Sequence, residues 1–160
     1  MTAEGRAVES GNVAPKATTF KATFDAKRVR TMQQMIANVQ SQVEQVIDAR
    51  AADRFEGRVP EPRPGLRPGH IPGSHNLPYG NLIASDGAMK PLDDLRAAFT
   101  GIGVDLAKPI ATSCGSGVSA AVLTLALYRL GIENPALYDG SWSEWGVLNG
   151  PDIATGPAGR

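Results

Sequence analysis

One cysteine in 160 residues excludes an internal disulfide and any metal site built from several thiolates. Neither sign of charge is in excess: 16 Lys and Arg balance 16 Asp and Glu. No basic run is long enough to follow a phosphate backbone, so nucleic acid is not an expected partner. Long apolar runs are missing too. None approaches the roughly 18 residues of a membrane span, and the opening ten residues lack the basic-then-apolar order of a secretory signal. No membrane is expected, and the cytoplasm is the default location, which suits an unpaired thiol. The two histidines, His70 and His75, are too few and too poorly accompanied for a metal centre, so both are expected to pack or to orient neighbours.

What is present is the composition of one folded domain. Hydrophobic residues make up 42% of the chain and charged ones only 20%, which supports a packed core rather than a disordered polyelectrolyte. Eighteen glycines and twelve prolines predict long loops. The first 19 residues are small and polar without any period, and read as a linker or a disordered tail. Alternation of Phe20, Ala22 and Phe24 with Lys21 and Thr23 predicts a short strand. Val29, Met32, Ile36, Val39 and Val43 then form a stripe at helical spacing, with Gln33, Gln34 and Asn38 facing outward. A buried strand is expected over 43–47, and a proline-rich loop over 56–69, where neither helix nor ladder can form. Another strand is expected over 75–78, with Pro72 and Gly73 turning the chain before it.

A helix over 91–99, with Leu92, Leu95 and Phe99 on one face and Gly101 as its stop, precedes a strand over 109–112. The next helix, over 119–130 with Gly131 as cap, is apolar nearly all round and should be buried on several sides. A last strand over 136–138 leads into Asp139-Gly140-Ser141-Trp142-Ser143-Glu144-Trp145. Alternating strands and helices predict an α/β domain of three layers, a small and mostly parallel sheet flanked by helices. It should occupy 20–146, followed by a C-terminal tail over 147–160.

The lone cysteine lies between the end of one strand and the start of the next helix, where such folds place their ligands. In Ser113-Cys114-Gly115-Ser116-Gly117-Val118-Ser119, the two glycines let successive amides converge, and the helix start adds a positive dipole end. A cysteine at the rim of that cradle is expected to be a thiolate near neutral pH, hence a nucleophile. A phosphatase of the Cys-x5-Arg type would need arginine six positions on. Ala120 stands there, so the loop suits a group smaller than a phosphate ester.

This loop resembles the active-site loop of the rhodanese superfamily, in the variant of its mercaptopyruvate sulfurtransferase branch. The segments VIDARAADRFEG, GHIPGSHNLPYGNL and LYDGSWSEW are similar to family segments in the same order, over about 20–146. The resemblance implies a sulfurtransferase in which Cys114 carries a persulfide and Ser116 relays a proton. Amides from Gly115 through Gly117 and Val118 to Ser119 would hold the anion, while Arg54 and Arg63 clamp the carboxylate and carbonyl of the donor. Mercaptopyruvate is expected over thiosulfate, because thiosulfate-specific relatives place cations inside the loop where Gly115 and Gly117 stand. The acceptor would be cyanide, a low-molecular-weight thiol or a thioredoxin-like protein.

No metal and no organic cofactor is implied. Asp48 and Arg50 are expected to brace loops, Trp142 and Trp145 to fill the core or an interdomain surface, and Arg58 and Arg67 to be solvated. The branch pairs two such domains, with the reactive cysteine in the second. An N-terminal rhodanese domain that covers the site is thus implied as a missing partner, and the chain alone is expected to turn over poorly. A thiosulfate-using enzyme and a catalytically impaired module that binds a partner or carries sulfur are the alternatives.

Overall fold

A computed structural model describes residues 5–158. Among the described residues, five strands form one all-parallel sheet in the order β1-β5-β4-β2-β3. They are β1 (Val29–Arg30), β2 (Gln45–Asp48), β3 (His75–Asn76), β4 (Ile110–Ser113) and β5 (Ala136–Tyr138). The helices are α1 (Met32–Ser41), α2 (Ala52–Phe55), α3 (Leu92–Gly101), α4 (Ala120–Arg129) and α5 (Ser141–Trp145). This is the expected three-layer α/β arrangement, with the sheet between two sets of helices.

The period of the strands divides the core. Along β2, Val46 faces one cluster and Ile47 the other; along β4, Ile110 and Ala111 do the same. One cluster packs Leu95 and Phe99 of α3 with Ala120, Leu123, Ala126 and Leu127 of α4. The other packs Met35 of α1 with Trp142 and Trp145 of α5, so both tryptophans are core residues. In α4 the expected burial on several sides is not found. Its buried residues lie on one face, and Leu125 and Tyr128 are exposed, because the short, five-stranded sheet offers the helix a single surface.

Several expected boundaries move, each for a local reason. No strand forms over 20–24, where Phe20 and Phe24 are exposed; the edge strand that pairs with β5 is Val29–Arg30 instead. Val29 therefore belongs to β1, and α1 begins after Thr31, whose side chain and Gln34 form a reciprocal capping box. The stripe also turns: Met35 and Asn38 are buried, while Ile36 and Val43 are exposed. Asn38, expected to face outward, bonds both backbone groups of Glu44 through its carboxamide, at 2.8 and 2.9 Å. That clamp and the left-handed Gln42 (φ 53°) close the turn into β2, which starts at Gln45 rather than at Val43.

Gly101 is the last residue of α3, not its stop, and Gly103 (φ 84°) takes the left-handed position; Leu92 lies exposed. Of the expected leading tail, residues 1–4 lie outside the described residues, and 5–19 are exposed with neither helix nor strand. The segment after residue 146 is no free tail, although 159–160 lie outside the described residues. Leu66 bridges to Val147 and His70 to Ala154, Ile153 packs on the α1/α5 core, and the Trp145 indole donates to Asp152 O at 2.9 Å.

Candidate active site

The register of the central strands sets the site. Pairing of β2 with β4 puts Asp48 beside Ser113, so the chain leaves both strands at one end of the sheet with Cys114 between them and α4. The loop that follows is held from α5. The Ser141 hydroxyl accepts the amides of Cys114 (3.0 Å) and Gly117 (3.1 Å) and donates to Tyr138 O (2.8 Å). The next two residues take the loop carbonyls: the Trp142 amide donates to Cys114 O at 2.9 Å, and Ser143 donates to Gly115 O through its amide (2.9 Å) and its hydroxyl (2.6 Å).

Ser141 does this from a left-handed conformation, φ 48°, that a non-glycine residue adopts only at some cost. Gly117 is confined as well. Its φ is 80°, and a Cβ there would lie 2.8 Å from both the carbonyl and a carboxylate oxygen of Asp139. The amide of Gly117 is thus turned onto Ser141, which removes it from the expected ring of donors around an anion.

Cys114 is only 1% exposed, and its sulfur accepts the Ser116 amide at 3.4 Å. Burial pushes the thiol pKa up. Hydrogen bonds from the Ser119 hydroxyl and from the Ser116 and Ala120 amides, with the smallest contribution from the dipole of the Ser141 hydroxyl 4.0 Å away, together outweigh that and hold it below its ordinary 9.0. The result is a sulfur whose ionised form is favoured relative to a free cysteine, held by neutral donors.

Its charged neighbours stand on the other side of a cleft of about 430 Å³, lined by Cys114, Ser116, Val118, Ser119, Arg54 and Arg63 among others. Arg54, on the short α2, leans on Glu61, with which it makes an ion pair and a second bond at 3.2 Å from Nε. The bond to Glu61, more than counteracting partial burial, raises the Arg54 pKa and keeps the guanidinium charged. Behind it, Arg50 bonds Glu61 at 2.9 Å, Asp48 at 2.6 Å and Gly69 O at 2.8 Å, and lies 4.3 Å over the Trp142 ring. Asp48, Arg50 and Glu61 have side chains at most 2% exposed. Asp48 and Arg50 thus brace loops as expected, and Glu61 carries that bracing to Arg54.

Arg63 is exposed on the proline-rich loop, and its Nη1 donates to the Ser143 hydroxyl at 2.6 Å. Arg58 pairs with Glu56 on the surface. Arg67, expected to be solvated, is instead half-buried and donates to Trp145 O (3.2 Å) and Pro151 O (2.7 Å), fastening the C-terminal segment. His70 stacks on Phe55 and bonds its carbonyl; burial, its largest influence, lowers its pKa. His75 bonds Ile102 O at 2.9 Å. Both histidines are occupied with the backbone.

Four residues of the site escaped the sequence reading: Ser141, Ser143, Glu61 and Tyr79, which lines the cleft. The serines belong to a quoted segment, but nothing in its spacing reveals that it reaches back 27 residues to the cysteine. A larger cavity of about 870 Å³ opens elsewhere, beside Glu44, Pro109 and Ile110 at the starts of β2 and β4, and holds no thiol.

Comparison with known proteins bears on both fold and site. The chain is 48% identical over 140 residues to the 3-mercaptopyruvate sulfurtransferase of Escherichia coli K12, covering 88% of this chain and 50% of that protein. The human 3-mercaptopyruvate sulfurtransferase is 39% identical, covering 91% and 49%. The thiosulfate sulfurtransferase of Cricetulus griseus is 41% identical, covering 98% and 54%. The chain thus spans about half the length of the curated relatives it matches.

The crystal structure of SseA from Escherichia coli, described as a 3-mercaptopyruvate sulfotransferase, superposes with a TM-score of 0.76 at 42% identity, covering 89% of this chain and 53% of that one. The rhodanese-like domain, as a family, matches residues 30–147, from within β1 to just past α5. The chain belongs to the rhodanese family.

Proposed function

We propose that this chain is the persulfide-forming half of a sulfurtransferase, moving a sulfane sulfur from mercaptopyruvate to a thiol or to cyanide. The observation that carries the reading is the juxtaposition, across one cleft, of a thiol held below its ordinary pKa with two arginines. Arg54 and Arg63 bind the donor's carboxylate and carbonyl, and the Cys114 thiolate attacks the donor sulfur. The new S–S bond forms as the carbon–sulfur bond breaks; the electron pair leaves on the pyruvate enolate, which the arginines stabilise until it takes a proton. The Ser116 hydroxyl, on a residue that lines the same cleft, relays that proton.

The amides of Gly115, Val118 and Ser119 and the start of α4 face the persulfide anion. An acceptor thiolate then attacks the outer sulfur and restores the Cys114 thiolate. The acceptor is a low-molecular-weight thiol or a thioredoxin-like protein. A first rhodanese domain completes the cleft, so the chain alone turns over more slowly than a two-domain form. Neither metal nor organic cofactor takes part in these steps. A single unpaired thiol suits the reducing cytoplasm.

Thiosulfate is the second donor to test, since a thiosulfate sulfurtransferase is 41% identical over 98% of the chain. The experiment is intact-mass measurement after mixing with each donor. Mercaptopyruvate is expected to add one sulfur, about 32 Da, to Cys114, and thiosulfate to add it more slowly. A Cys114→Ser variant should gain nothing. Sulfur transfer surviving in that variant, or no gain from either donor in the unaltered chain, defeats the proposal.

A further inference from the structure

Arg63 differs from the arginines around it in what it touches. Arg50, Arg54 and Arg58 each face a carboxylate, whereas the guanidinium of Arg63 is anchored by the hydroxyl of Ser143 at 2.6 Å. That hydroxyl spends its one proton on Gly115 O, also at 2.6 Å, so it meets Arg63 with a lone pair. The carbonyl it bonds belongs to the residue next to the nucleophile.

A three-part chain thus runs from an exposed loop arginine, through one hydroxyl, to the backbone beside Cys114. It joins segments 80 and 28 residues apart in sequence. A neutral anchor fixes the cation without neutralising it, which leaves the full charge for an anion in the cleft. We infer that Ser143 is a positioning residue for anionic substrates: it aims Arg63 at the ligand that Cys114 attacks, and so sets how strongly the site prefers an anion over a neutral molecule of the same shape. The inference rests on the reading above only in taking that ligand to be an anionic sulfur donor.

Two alkylating agents of similar size test it, anionic iodoacetate and neutral iodoacetamide. Both react with the Cys114 thiolate, displacing iodide, so the ratio of their rates cancels any change in the thiolate fraction. Ser143→Ala should lower the iodoacetate-to-iodoacetamide ratio about threefold, the scale of one partly exposed charge interaction. Ser143→Thr, which keeps the hydroxyl, should retain the ratio. Because the Ser143 amide also holds Gly115 O, at 2.9 Å, the loop keeps one of its two bonds in the alanine variant.

Arg63→Ala on the exposed loop should lower the ratio at least as far, and adding Ser143→Ala to it should change nothing more. An unchanged ratio in Ser143→Ala or in Arg63→Ala, or a further fall in the double variant, overturns the inference. Sulfur gain by the unaltered chain is read separately by mass. A chain that gains no sulfur yet shows the ratio changes loses the donor assignment and keeps the role of Ser143.

Discussion

The two walls of the cleft are built from different materials. On the thiol side, Cys114 and its loop are held by neutral donors and acceptors: serine hydroxyls and amides from α5 and from the loop itself. On the cationic side, Arg54 ends a ladder of alternating charge through Glu61 and Arg50 to Asp48, most of it sealed from water. Under the proposed function, each choice follows from what the wall must do. A thiolate needs donors that stabilise negative charge without a permanent partner that would compete with the substrate. A guanidinium must keep its charge yet hold one direction, which a buried carboxylate behind it achieves. The four formal charges of the ladder sum to zero, so Arg54 acts on the thiol only as the ladder member nearest the cleft, whereas Arg63, bonded to a neutral hydroxyl, adds a net positive charge.

This contrast predicts where damage is largest. Glu61→Ala removes the carboxylate shared by Arg50 and Arg54 and leaves Arg50 with one carboxylate instead of two. Breaking a buried pair in this way is expected to destabilise the fold by about 3 kcal/mol, measured by urea denaturation, and to weaken donor binding as Arg54 loses its direction. A stability equal to that of the unaltered protein would show that the cationic wall is no more dependent on charge than the thiol wall.

On the thiol side the corresponding change is milder. Ser141→Ala strips the acceptor from two loop amides, with an expected loss of about 2 kcal/mol, and it loosens the loop whose donors lower the Cys114 pKa. The pH midpoint of alkylation by iodoacetamide should therefore rise. In the unaltered protein the folded thiol has the lower pKa, so the unfolded chain binds more protons between that value and 9.0. Its contribution to stability is complete above the unfolded value and is lost as pH falls through the folded one. The Ser141→Ala variant should show less of this dependence; an identical midpoint would assign the depressed pKa to Ser119 and the amides alone.

The smallest effect is expected where the walls meet. A Cβ on Gly115 would sit 3.2 Å from a terminal nitrogen of Arg54, so Gly115→Ala requires the guanidinium to give by a few tenths of an ångström. Folding should be nearly unaffected, since φ at this position is not in the left-handed region. Half-saturation by an anionic donor should rise by about two- to threefold, an effect well under 1 kcal/mol. An effect as large as that of Glu61→Ala would mean that the two walls are coupled far more tightly than their separate bonding implies.

Legibility follows the same division. The strand over 136–138, the loop after β4 and the stop at Gly131 could be read because each depends on residues adjacent in the chain: apolar runs, paired glycines, a left-handed cap. The proline-rich loop was legible for the same reason. Asn38 was misread because its burial depends on Glu44, and helical spacing contains no information about which side chain will close a turn. The segment after residue 146 was misread because its composition is that of a tail, while its place is fixed by Arg67 and His70 from a loop some 80 residues earlier.

By itself, then, the sequence determined an α/β domain with its one cysteine at a strand-to-helix turn and Arg63 on a proline-rich loop, since periodicity and local turn chemistry suffice for that. Tertiary structure alone decided the rest: that Gly117 turns its amide away onto Ser141, that Glu61 stands behind Arg54, and that Ser143 joins Arg63 to the loop of the cysteine. These are contacts between distant segments brought to one end of a parallel sheet, and their partners are chosen by register and packing rather than by spacing along the chain.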